Sequence, residues 1–585
     1  MSKRIVIVGG VAAGASAAAK ARRMSEDVEI VLLEAGPYIS FANCGLPYYV
    51  GGEIAKRDEL FVVSGDLFAK RFRVDVRTRT VASAVDRARK TITLRREDGA
   101  AEELSYDRLV LATGAVGITP PIAGLGRKNI FTVRTVPDVD AISAFLDAAG
   151  GAKEGESVDA EAAAEAPLRA VVIGGGYIGL ETAEQLRRRG LAVTVIEMAP
   201  QLMPGALDEE MAQPLRAAIE VEGCEVIVGD GVSAIEEDGG GTAAVTAGGR
   251  RVPFDIGILS VGVRPNVELA KACGIEIGQS GAIAVDRMQR TSDPAVYAAG
   301  DNCEAHHRVL DRPVNIPLAG PANKAGRVAG ANAVLDLLNA AEDDGRRLRM
   351  ASVQGTGIVR VGDQTAGMTG LTERAADKEG MAYGVMFMPG TSHAGYYPGA
   401  GRLLLKILYA PDTGRLLGAQ AIGADGVDKR IDVLATAIQA GMTVGDLEEL
   451  DLCYAPPFGS AKDPVIQAGF AASNERRGEM PSMTAAELLE RLAGDNPPAV
   501  IDVRSKREYL SGHLDEAVNI PVDEIRDRLK DVPTDRPVAL HCGVGYRSYV
   551  AQRVLMNAGR RDVFNVQGGY GLIQQVQAAR QAMHE

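Results

Sequence analysis

Two stretches of the chain repeat one pattern of hydrophobic and polar positions. Residues 4–9, RIVIVG, are apolar enough for a buried parallel strand, and a glycine-rich turn, an alanine-rich helix and a second strand ending at Glu34 follow. The same order of strand, turn, helix and strand occupies residues 169–197 and ends at Glu197. Strand–helix–strand units of this kind are typical of parallel sheets that bind dinucleotides. The pattern predicts an α/β chain with two dinucleotide sites, the second inserted into the first domain.

The rest of the 585 residues follows a less regular pattern. Residues 150–167 are acidic and poor in bulky apolar side chains, which indicates a surface excursion before the second unit. Strands and a helix are mixed over residues 331–473, and the polar residues 474–483 indicate a linker. A last α/β segment runs from residue 484 to residue 585.

Charge and cysteine content narrow the function classes. The net charge of −13 argues against nucleic acid or an anionic membrane surface as a partner. No stretch approaches the roughly 20 apolar residues that span a bilayer, and the start of the chain is unlike an export signal, so a cytoplasmic location is expected. The six cysteines lack regular spacing and form no CxxC pair, which argues against a disulfide framework. One or two of them are expected to do chemistry, and no metal site is expected.

The first glycine-rich turn, GGVAAGA, places small residues at Gly9, Gly10, Ala13 and Gly14. Small residues let the backbone approach a pyrophosphate, and the following helix supplies N–H donors and the positive end of its dipole. Glu34 is placed to accept a hydrogen bond from a ribose hydroxyl. These residues together predict a dinucleotide at this turn.

The second glycine-rich turn, GGGYIGLE, has the spacing G-x-G-x-x-G. Glu197 at the end of the next strand would bind a ribose diol and repel a 2′-phosphate, and the residues after it, MAPQLMP, provide no arginine for such a phosphate. The sequence therefore favours NADH, with NADPH as the alternative. The residues expected at this site are Gly174, Gly176, Tyr177, Ile178, Gly179 and Glu197.

Three further segments resemble motifs of flavoproteins that bind two dinucleotides. YDRLVLATGA (106–115) is similar to their ATG motif and TSDPAVYAAGD (291–301) to their GD motif. The resemblance implies FAD at the first turn, with Asp301 on its ribityl chain and Thr113 and Gly114 beside it. SVGVRPN (260–266), which contains Gly262, resembles the segment that closes over the nicotinamide side.

The segment SFANCGLPYYVGG (40–52) carries Cys44 with no second cysteine a few residues on. A single thiol can form a mixed disulfide with a small external thiol, which reduced flavin would then cleave, and its thiolate form requires a lowered pKa. Over residues 1 to about 470 the chain resembles the single-cysteine branch of the pyridine-nucleotide disulfide oxidoreductases, and most of all the coenzyme A-disulfide reductases. NADH oxidases and peroxidases of that branch typically carry a histidine in the first turn, and VAAGAS has none.

The resemblance implies roles for further residues. Cys44 matches the redox nucleophile, and Tyr396 and Tyr454 match two tyrosines that reach the active site from the partner subunit, where phenols act as general acids. A homodimer is therefore expected. The positions that match coenzyme A contacts of that branch are Ser16, Lys20, Arg23, Ser40, Asn43, His306 and Lys462. Lys20 and Arg23 would share one helix face, where cations suit the phosphates of coenzyme A.

Residues 500–521 and 538–559 resemble a rhodanese domain. The loop CGVGYR would surround the sulfur of Cys542 with backbone N–H groups and Arg547, and such a cradle stabilises an anionic thiolate or persulfide. The related phosphatase loop has one more residue before its arginine. The spacing of Cys542 and Arg547 therefore favours sulfur transfer over phosphatase chemistry.

The expected fold class is a Rossmann-like α/β flavoprotein that binds FAD and NAD, with an α+β dimerisation domain and a C-terminal α/β rhodanese domain. An FAD-binding domain is expected in two pieces, residues 1–120 and 256–330, with an NAD(P)H-binding domain at residues 121–255 between them. A dimerisation domain is expected at residues 331–473, a linker at residues 474–483 and a rhodanese domain at residues 484–585.

The expected activity is FAD-dependent reduction by NAD(P)H of persulfide, polysulfide or coenzyme A disulfide at Cys44. Cys542 would deliver sulfane sulfur, sulfide would be released, and coenzyme A would be a substrate or a bound thiol-bearing arm. Three alternatives remain open. They are a coenzyme A-disulfide reductase with an independent sulfurtransferase domain, an NADH oxidase or peroxidase, and a flavin-binding redox sensor that is not an enzyme.

Overall fold

A computed structural model describes residues 3–149 and 167–582 of the chain. The predicted acidic excursion at residues 150–167 lies, apart from Pro167, outside the described residues. No helix among the described residues is both long enough and apolar enough to cross a membrane.

Helices and strands occur along the whole described chain. Up to residue 149 they are β1 (Arg4–Val8), α1 (Ala12–Met24), β2 (Glu29–Leu33), α2 (Leu46–Gly51), α3 (Gly65–Phe72), β3 (Asp75–Arg77), β4 (Thr80–Asp86), β5 (Thr91–Arg96), β6 (Ala101–Ser105), β7 (Arg108–Leu111), β8 (Ala115–Gly117), β9 (Ile130–Phe131) and α4 (Val136–Ala148). From residue 167 to residue 355 they are β10 (Arg169–Ile173), α5 (Tyr177–Arg188), β11 (Ala192–Glu197), α6 (Glu209–Val221), β12 (Glu225–Val228), β13 (Val232–Asp238), β14 (Gly241–Thr246), β15 (Arg251–Phe254), β16 (Ile256–Leu259), β17 (Val263–Pro265), α7 (Glu268–Ala272), β18 (Val296–Ala298), β19 (Ala305–His306), β20 (Pro313–Val314) and α8 (Ala319–Leu337). From residue 356 onward they are β21 (Gly357–Val361), β22 (Gln364–Gly370), α9 (Glu373–Lys378), β23 (Gly384–Thr391), β24 (Arg402–Tyr409), β25 (Leu416–Gly423), α10 (Val427–Ala440), α11 (Val444–Glu448), α12 (Pro464–Arg476), β26 (Ser482–Met483), α13 (Ala485–Leu492), β27 (Ala499–Asp502), α14 (Lys506–Leu510), β28 (Ala517–Asn519), β29 (Val538–His541), α15 (Tyr546–Asn557), β30 (Val563–Val566) and α16 (Gly569–Ala582).

The chain divides into two compact units, one formed by Met1–Ala199 with Glu222–Gly355 and the other by Pro200–Val221 with Thr356–Glu585. The first unit contains two five-stranded parallel sheets, in the orders β18-β7-β1-β2-β3 and β12-β11-β10-β16-β9. Both predicted strand–helix–strand units are therefore present, as β1–α1–β2 and β10–α5–β11. The second sheet also includes β16, which lies just beyond the predicted boundary at residue 255.

Strand β1 shows why the first sheet is covered on both faces. Ile5 and Ile7 pack in one hydrophobic cluster, whereas Val6 and Val8 pack in another. A parallel sheet with helices on both faces buries successive side chains in this way, which gives a continuous apolar run in the sequence. The run RIVIVG that predicted a buried strand thus has a direct physical cause.

The second unit holds the remaining two five-stranded sheets. One is antiparallel, in the order β21-β22-β25-β24-β23, and the other is parallel, in the order β26-β30-β29-β27-β28. Residues 474–483, predicted as a linker, contain the end of α12 and all of β26. This segment is therefore hydrogen-bonded into both parts of the unit.

Helix α6 belongs to the second unit although its chain neighbours β11 and β12 lie in the first. The fully buried Lys406 on β24 gives the reason, because its Nζ lies 2.9 Å from Asp208 and 3.4 Å from Glu210, at the start of this helical segment. Lys406 also contacts Glu373. A buried cation requires such partners, so the ion pairs hold α6 against the antiparallel sheet.

Candidate functional sites

The first glycine-rich turn joins β1 to α1 and depends on two glycines. Gly9 has a φ of +102°, and a Cβ there would lie 2.1 Å from the carbonyl oxygen of Ala112. A Cβ on Gly14 would lie 1.7 Å from the carbonyl oxygen of Gly9. Ala13 packs against Gly300 of the GD motif, where an added Cβ would lie 3.0 Å from the Ala13 Cβ. The structure therefore brings the first turn and the GD motif together.

The second glycine-rich turn repeats this geometry between β10 and α5. Gly174 has a φ of +110°, and its Cβ would lie 2.5 Å from the carbonyl oxygen of Ser260, while a Cβ on Gly179 would lie 2.0 Å from the Gly174 carbonyl. A Cβ on Gly176 would meet no protein atom within 4 Å. The missing side chain at Gly176 thus leaves room for a ligand to approach the backbone, as a pyrophosphate requires.

The two acids that end β2 and β11 are held in the same way. Glu34 accepts hydrogen bonds from the backbone N–H groups of Gly10 and Gly36, both at 2.7 Å. Glu197 accepts from two backbone N–H groups at 2.7 and 2.8 Å. An ionised carboxylate has about four lone-pair positions, so each acid can still accept from a ribose diol. Both turns therefore fit a dinucleotide.

The remaining residues expected at the two dinucleotide sites lie near strand ends or, for Tyr177 and Ile178, at the start of a helix. Thr113 donates to the backbone oxygen of Asn266 at 2.6 Å, and Gly114 has a φ of +66°. Gly262 has a φ of +102°, which only glycine adopts without strain. Burial raises the pKa of Asp301, which follows the GD-motif strand β18. Tyr177 and Ile178 are the first two residues of α5.

Cys44 lies in a 3₁₀ turn, Asn43–Gly45, immediately before α2, and the residue is exposed. The protein around its sulfur nevertheless removes part of the water, and this burial is the main cause that raises the pKa of Cys44. The carboxylates of Glu181 and Asp301 raise this pKa further. The residues around Cys44 in the single subunit therefore do not supply the lowered pKa that a thiolate requires, and that lowering stays a prediction for the flavin-bound protein. The charged groups that shift the Cys44 pKa are acids, and acids disfavour the thiolate.

Glu181 had no assigned role in the sequence, although it ends the stretch GGGYIGLE. It lies on α5 and accepts a hydrogen bond from the phenol of Tyr48 on α2 at 3.0 Å. Burial raises the pKa of Glu181 to about 7, although the Tyr48 hydrogen bond acts in the opposite direction. Helices α2 and α5 pack so closely that a Cβ on Gly51 would lie 1.8 Å from Oε1 of Gln185. The helix of the second glycine turn thus carries a titratable acid to the Cys44 segment.

Helices α1 and α8 bring together part of the expected coenzyme A site. Ser16 donates to the side chain of Asn323 at 2.7 Å. Burial lowers the pKa of Lys20, and the charges of Arg327 and Arg23 lower it further, so these three cations lie close together. Asn323 and Arg327 were missed from the sequence. Their spacing of four residues on one helix was the available signal.

The other expected coenzyme A ligands occupy separate places. Ser40 has a φ of +50° and donates its backbone N–H to Gly10 at 3.0 Å, and Asn43 is exposed beside Cys44. His306 lies 3.3 Å from the Ser352 hydroxyl and 3.4 Å from Asp311. Lys462 is exposed in the second unit. The assignment of all four to coenzyme A stays a prediction.

Tyr396 and Tyr454 are brought together within the second unit. Their hydroxyl oxygens lie 2.9 Å apart, and both side chains are exposed. The hydrogen bond between the two phenols raises the pKa of Tyr396, because it stabilises the protonated form of that phenol. Two exposed, coupled phenols are suited to proton donation, whereas their delivery to a partner subunit stays a prediction.

Cys542 follows β29, and its sulfur is buried. The backbone N–H of Gly545 donates to Sγ at 3.1 Å, and the Ser548 hydroxyl donates at 3.5 Å. Burial by itself raises the pKa of Cys542, but these hydrogen bonds, with those from the backbone N–H groups of Val544 and Ser548, lower it overall. The cradle therefore stabilises the thiolate at the position where the sequence predicts one.

Arg547 is shared between the sulfur and an acid that the sequence did not indicate. Its guanidinium donates to both carboxylate oxygens of Glu508 on α14, at 2.8 and 2.7 Å, and its charge also interacts with Cys542. The Arg547 hydrogen bonds lower the pKa of Glu508 to about 2. Glu508 is thus ionised at any ordinary pH. The only available signal was its place three residues after Ser505, as in a capping box.

Residues 3–326 match the family model of the pyridine nucleotide-disulphide oxidoreductases. The chain belongs to this family. Residues 358–464 match the dimerisation domain of the pyridine nucleotide-disulphide oxidoreductases, and residues 484–575 match a rhodanese-like domain. The predicted fold class and the family resemblance are confirmed. The protein is an oxidoreductase whose cofactors are FAD and NAD(P)H, whereas the assignment of each cofactor to one turn stays a prediction.

Two solved structures match nearly the whole chain, and a curated relative matches most of it. The structure of reduced Bacillus anthracis CoADR-RHD is 42% identical, with a TM-score of 0.91 and 99% of each chain covered. A NAD-dependent persulfide reductase from A. fulgidus is 37% identical, with a TM-score of 0.86, over 97% of this chain and 99% of that one. The NAD(P)H coenzyme A polysulfide/persulfide reductase of Pyrococcus horikoshii is 34% identical over 466 residues, which are 80% of this chain and 97% of that protein.

Proposed function

We propose that the protein uses NAD(P)H to reduce the sulfur–sulfur bonds of coenzyme A persulfide, polysulfide or coenzyme A disulfide. One observation carries the proposal. The same chain holds an exposed Cys44 beside a pair of dinucleotide-binding turns and a buried Cys542 in a sulfur cradle. Two relatives that cover 97–99% of the chain, a CoADR-RHD and a persulfide reductase, agree with this pairing.

Bound FAD and NAD(P)H supply hydride and electron transfer, and the residues of the chain position the substrate and handle its protons. The thiolate of Cys44 attacks the sulfur–sulfur bond of the substrate, forms a mixed disulfide and expels a thiolate. Two electrons then break that disulfide and restore the Cys44 thiol. For a persulfide, one NAD(P)H and one proton yield one thiol and one hydrogen sulfide.

The proton for the departing thiolate comes from a phenol in this proposal. Tyr396 and Tyr454 of the partner subunit would face Cys44 in a homodimer, which residues 358–464 support by their match to a dimerisation domain. The hydrogen bond between the two phenols keeps Tyr396 protonated, so it can donate.

Coenzyme A would lie along α1 and α8. Lys20, Arg23 and Arg327 bring three positive charges together, and the phosphates of coenzyme A are the anions that such a group suits. Ser40 and Asn43 would direct the thiol end toward Cys44, from the same loop. Glu197 supports NADH over NADPH, because a carboxylate repels a 2′-phosphate.

Cys542 would carry the sulfane sulfur. Its thiolate attacks the outer sulfur of a persulfide, becomes a persulfide itself and releases the donor as a thiol. The N–H groups that point at Sγ would stabilise the persulfide anion as they do the thiolate.

The test is NADH oxidation by the FAD-loaded protein with coenzyme A persulfide, polysulfide or coenzyme A disulfide, with sulfide release followed in parallel. Fast persulfide turnover with stoichiometric sulfide, lost in Cys44→Ser, is expected. Cys542→Ser should slow persulfide or polysulfide turnover, whereas Cys273→Ser serves as the matched control. Turnover with oxygen alone would contradict the proposal, and turnover with the disulfide alone would restrict it to coenzyme A-disulfide reduction. An unchanged rate in Cys542→Ser would show that the rhodanese domain takes no part in the main reaction.

A further inference from the structure

The charge beside Cys542 is balanced before any ligand arrives. Glu508 binds Arg547 through both carboxylate oxygens, at 2.8 and 2.7 Å. The same carboxylate accepts from the backbone N–H of Ser505 at 3.0 Å and from its hydroxyl at 2.7 Å, which fixes it at the first turn of α14. Four donors hold this carboxylate beside the guanidinium, so an incoming anion has to compete with it for Arg547.

The cradle loop also carries two exposed side chains without charge. Val544 and Tyr546 are 55% and 72% exposed. Lys506 and Arg507 also lie on α14, but residues one and two positions before Glu508 do not share its helix face. A sulfur donor that approaches Cys542 therefore meets a neutral ion pair and the uncharged side chains of Val544 and Tyr546.

We propose that Glu508 determines the donor specificity of Cys542, by cancelling the charge of Arg547 so that the site takes sulfane sulfur from persulfides of organic thiols and disfavours oxyanion donors such as thiosulfate. The inference rests on the proposed role of Cys542 as a sulfur carrier. A persulfide donor with an uncharged arm next to its sulfur requires no cation, whereas a dianion requires one.

The two reactions balance without an added oxidant or reductant. With a persulfide R–S–SH, the Cys542 thiolate forms a bond to the outer sulfur, the bond between the two donor sulfurs breaks, and R–S⁻ leaves with the electron pair. With thiosulfate, the same attack on the outer sulfur releases sulfite. The leaving group carries two negative charges in the second case and one in the first, so the neutral ion pair disfavours the second.

The experiment compares the rates at which pantetheine persulfide and thiosulfate convert Cys542 to its persulfide in the full-length protein, read by mass spectrometry. The wild type should load from pantetheine persulfide faster than from thiosulfate. Glu508→Gln keeps a capping-box residue and frees the charge of Arg547, so its thiosulfate rate should rise about fivefold or more while the pantetheine persulfide rate changes less than about twofold. Glu508→Asp keeps the charge and should keep the preference.

A control and a second readout make the outcome decisive. Glu490→Gln removes a carboxylate of the same domain that pairs with Arg580 at 3.0 Å, and it should leave the ratio of the two rates unchanged. Glu508→Gln should also lower the pH at which iodoacetamide begins to alkylate Cys542, because an unpaired Arg547 favours the thiolate.

Parallel changes of both rates in Glu508→Gln, or none, would overturn the inference while leaving sulfur carriage intact. If Glu508→Gln does not fold, equal wild-type rates with the two donors would overturn it. A folded protein in which no donor persulfidates Cys542 would overturn the proposed function itself.

Discussion

Replacing Glu181 by Gln should make Cys44 a stronger acid. The Cys44 thiol titrates above its ordinary pKa of 9.0, where Glu181, with a pKa of about 7, is fully ionised. The full carboxylate charge therefore opposes the Cys44 thiolate throughout its titration. A neighbouring like charge contributes on the order of 1 kcal/mol at an exposed site, or about 0.5–1 pKa unit. Glu181→Gln should lower the Cys44 pKa by that amount.

The assay is the pH dependence of iodoacetamide alkylation in the reduced holoprotein. A Cys453→Ser and Cys542→Ser background removes the other exposed thiol and the other nucleophilic thiol. Glu53→Gln is the matched control, because Glu53 pairs with Arg188 at 3.0 Å and is not among the groups that shift the Cys44 pKa. An unchanged or raised Cys44 pKa in Glu181→Gln would refute the electrostatic reasoning.

Three further changes test separate parts of the protein. Ser548→Ala removes a hydroxyl that donates to Sγ, so it should raise the Cys542 pKa by about 1 unit, which the pH dependence of Cys542 alkylation would show. An unchanged pH dependence would mean that the backbone N–H groups alone lower the Cys542 pKa. Burial lowers the pKa of His541 from 6.5 to about 4, so the unfolded chain binds more protons between these values. Stability should therefore be full above pH 6.5 and fall as the pH drops through 4, by up to about 3 kcal/mol, and denaturant titrations at pH 4.5 and 7.5 should show this loss in the wild type but not in His541→Leu. Glu197→Ala should raise the ratio of NADPH to NADH turnover about tenfold, and an unchanged ratio in steady-state kinetics would mean that Glu197 does not select the nucleotide.

The parts of the fold that could be predicted from the sequence are those that depend on residues close together in the chain. The apolar runs of β1 and β10 each end in a turn where Gly9 or Gly174 needs a positive φ, and a pattern of fewer than 35 residues contains the whole unit. The position of α6 in the second unit could not be predicted in this way. It depends on Lys406, about two hundred residues away along the chain, and no local pattern indicates that pairing.

The candidate sites divide in the same way. Cys44 and Cys542 stand in sequence motifs, so their positions were predicted, whereas Glu181 and Glu508 act on them from other helices. The sequence did not indicate that the residues around Cys44 raise its pKa, because this shift depends on how much protein covers the sulfur and on which charges face it. Both quantities exist only once α2 has packed against α5.

Gln567 shows how much of the remaining architecture depends on a single buried side chain. Its Oε1 accepts from the backbone N–H of Phe387 at 3.0 Å, and its Nε2 donates to the backbone oxygen of Val385 at 2.9 Å. The amide thus occupies the hydrogen-bonding positions of one more strand along β23, the edge of the antiparallel sheet. Lifting the rhodanese domain off this edge would exchange these hydrogen bonds for hydrogen bonds to water, at a net cost of about 0.5–1.5 kcal/mol for each. Both bonds therefore stabilise the docked arrangement, in which Cys542 has a fixed position relative to Tyr396 and Tyr454 of the same unit.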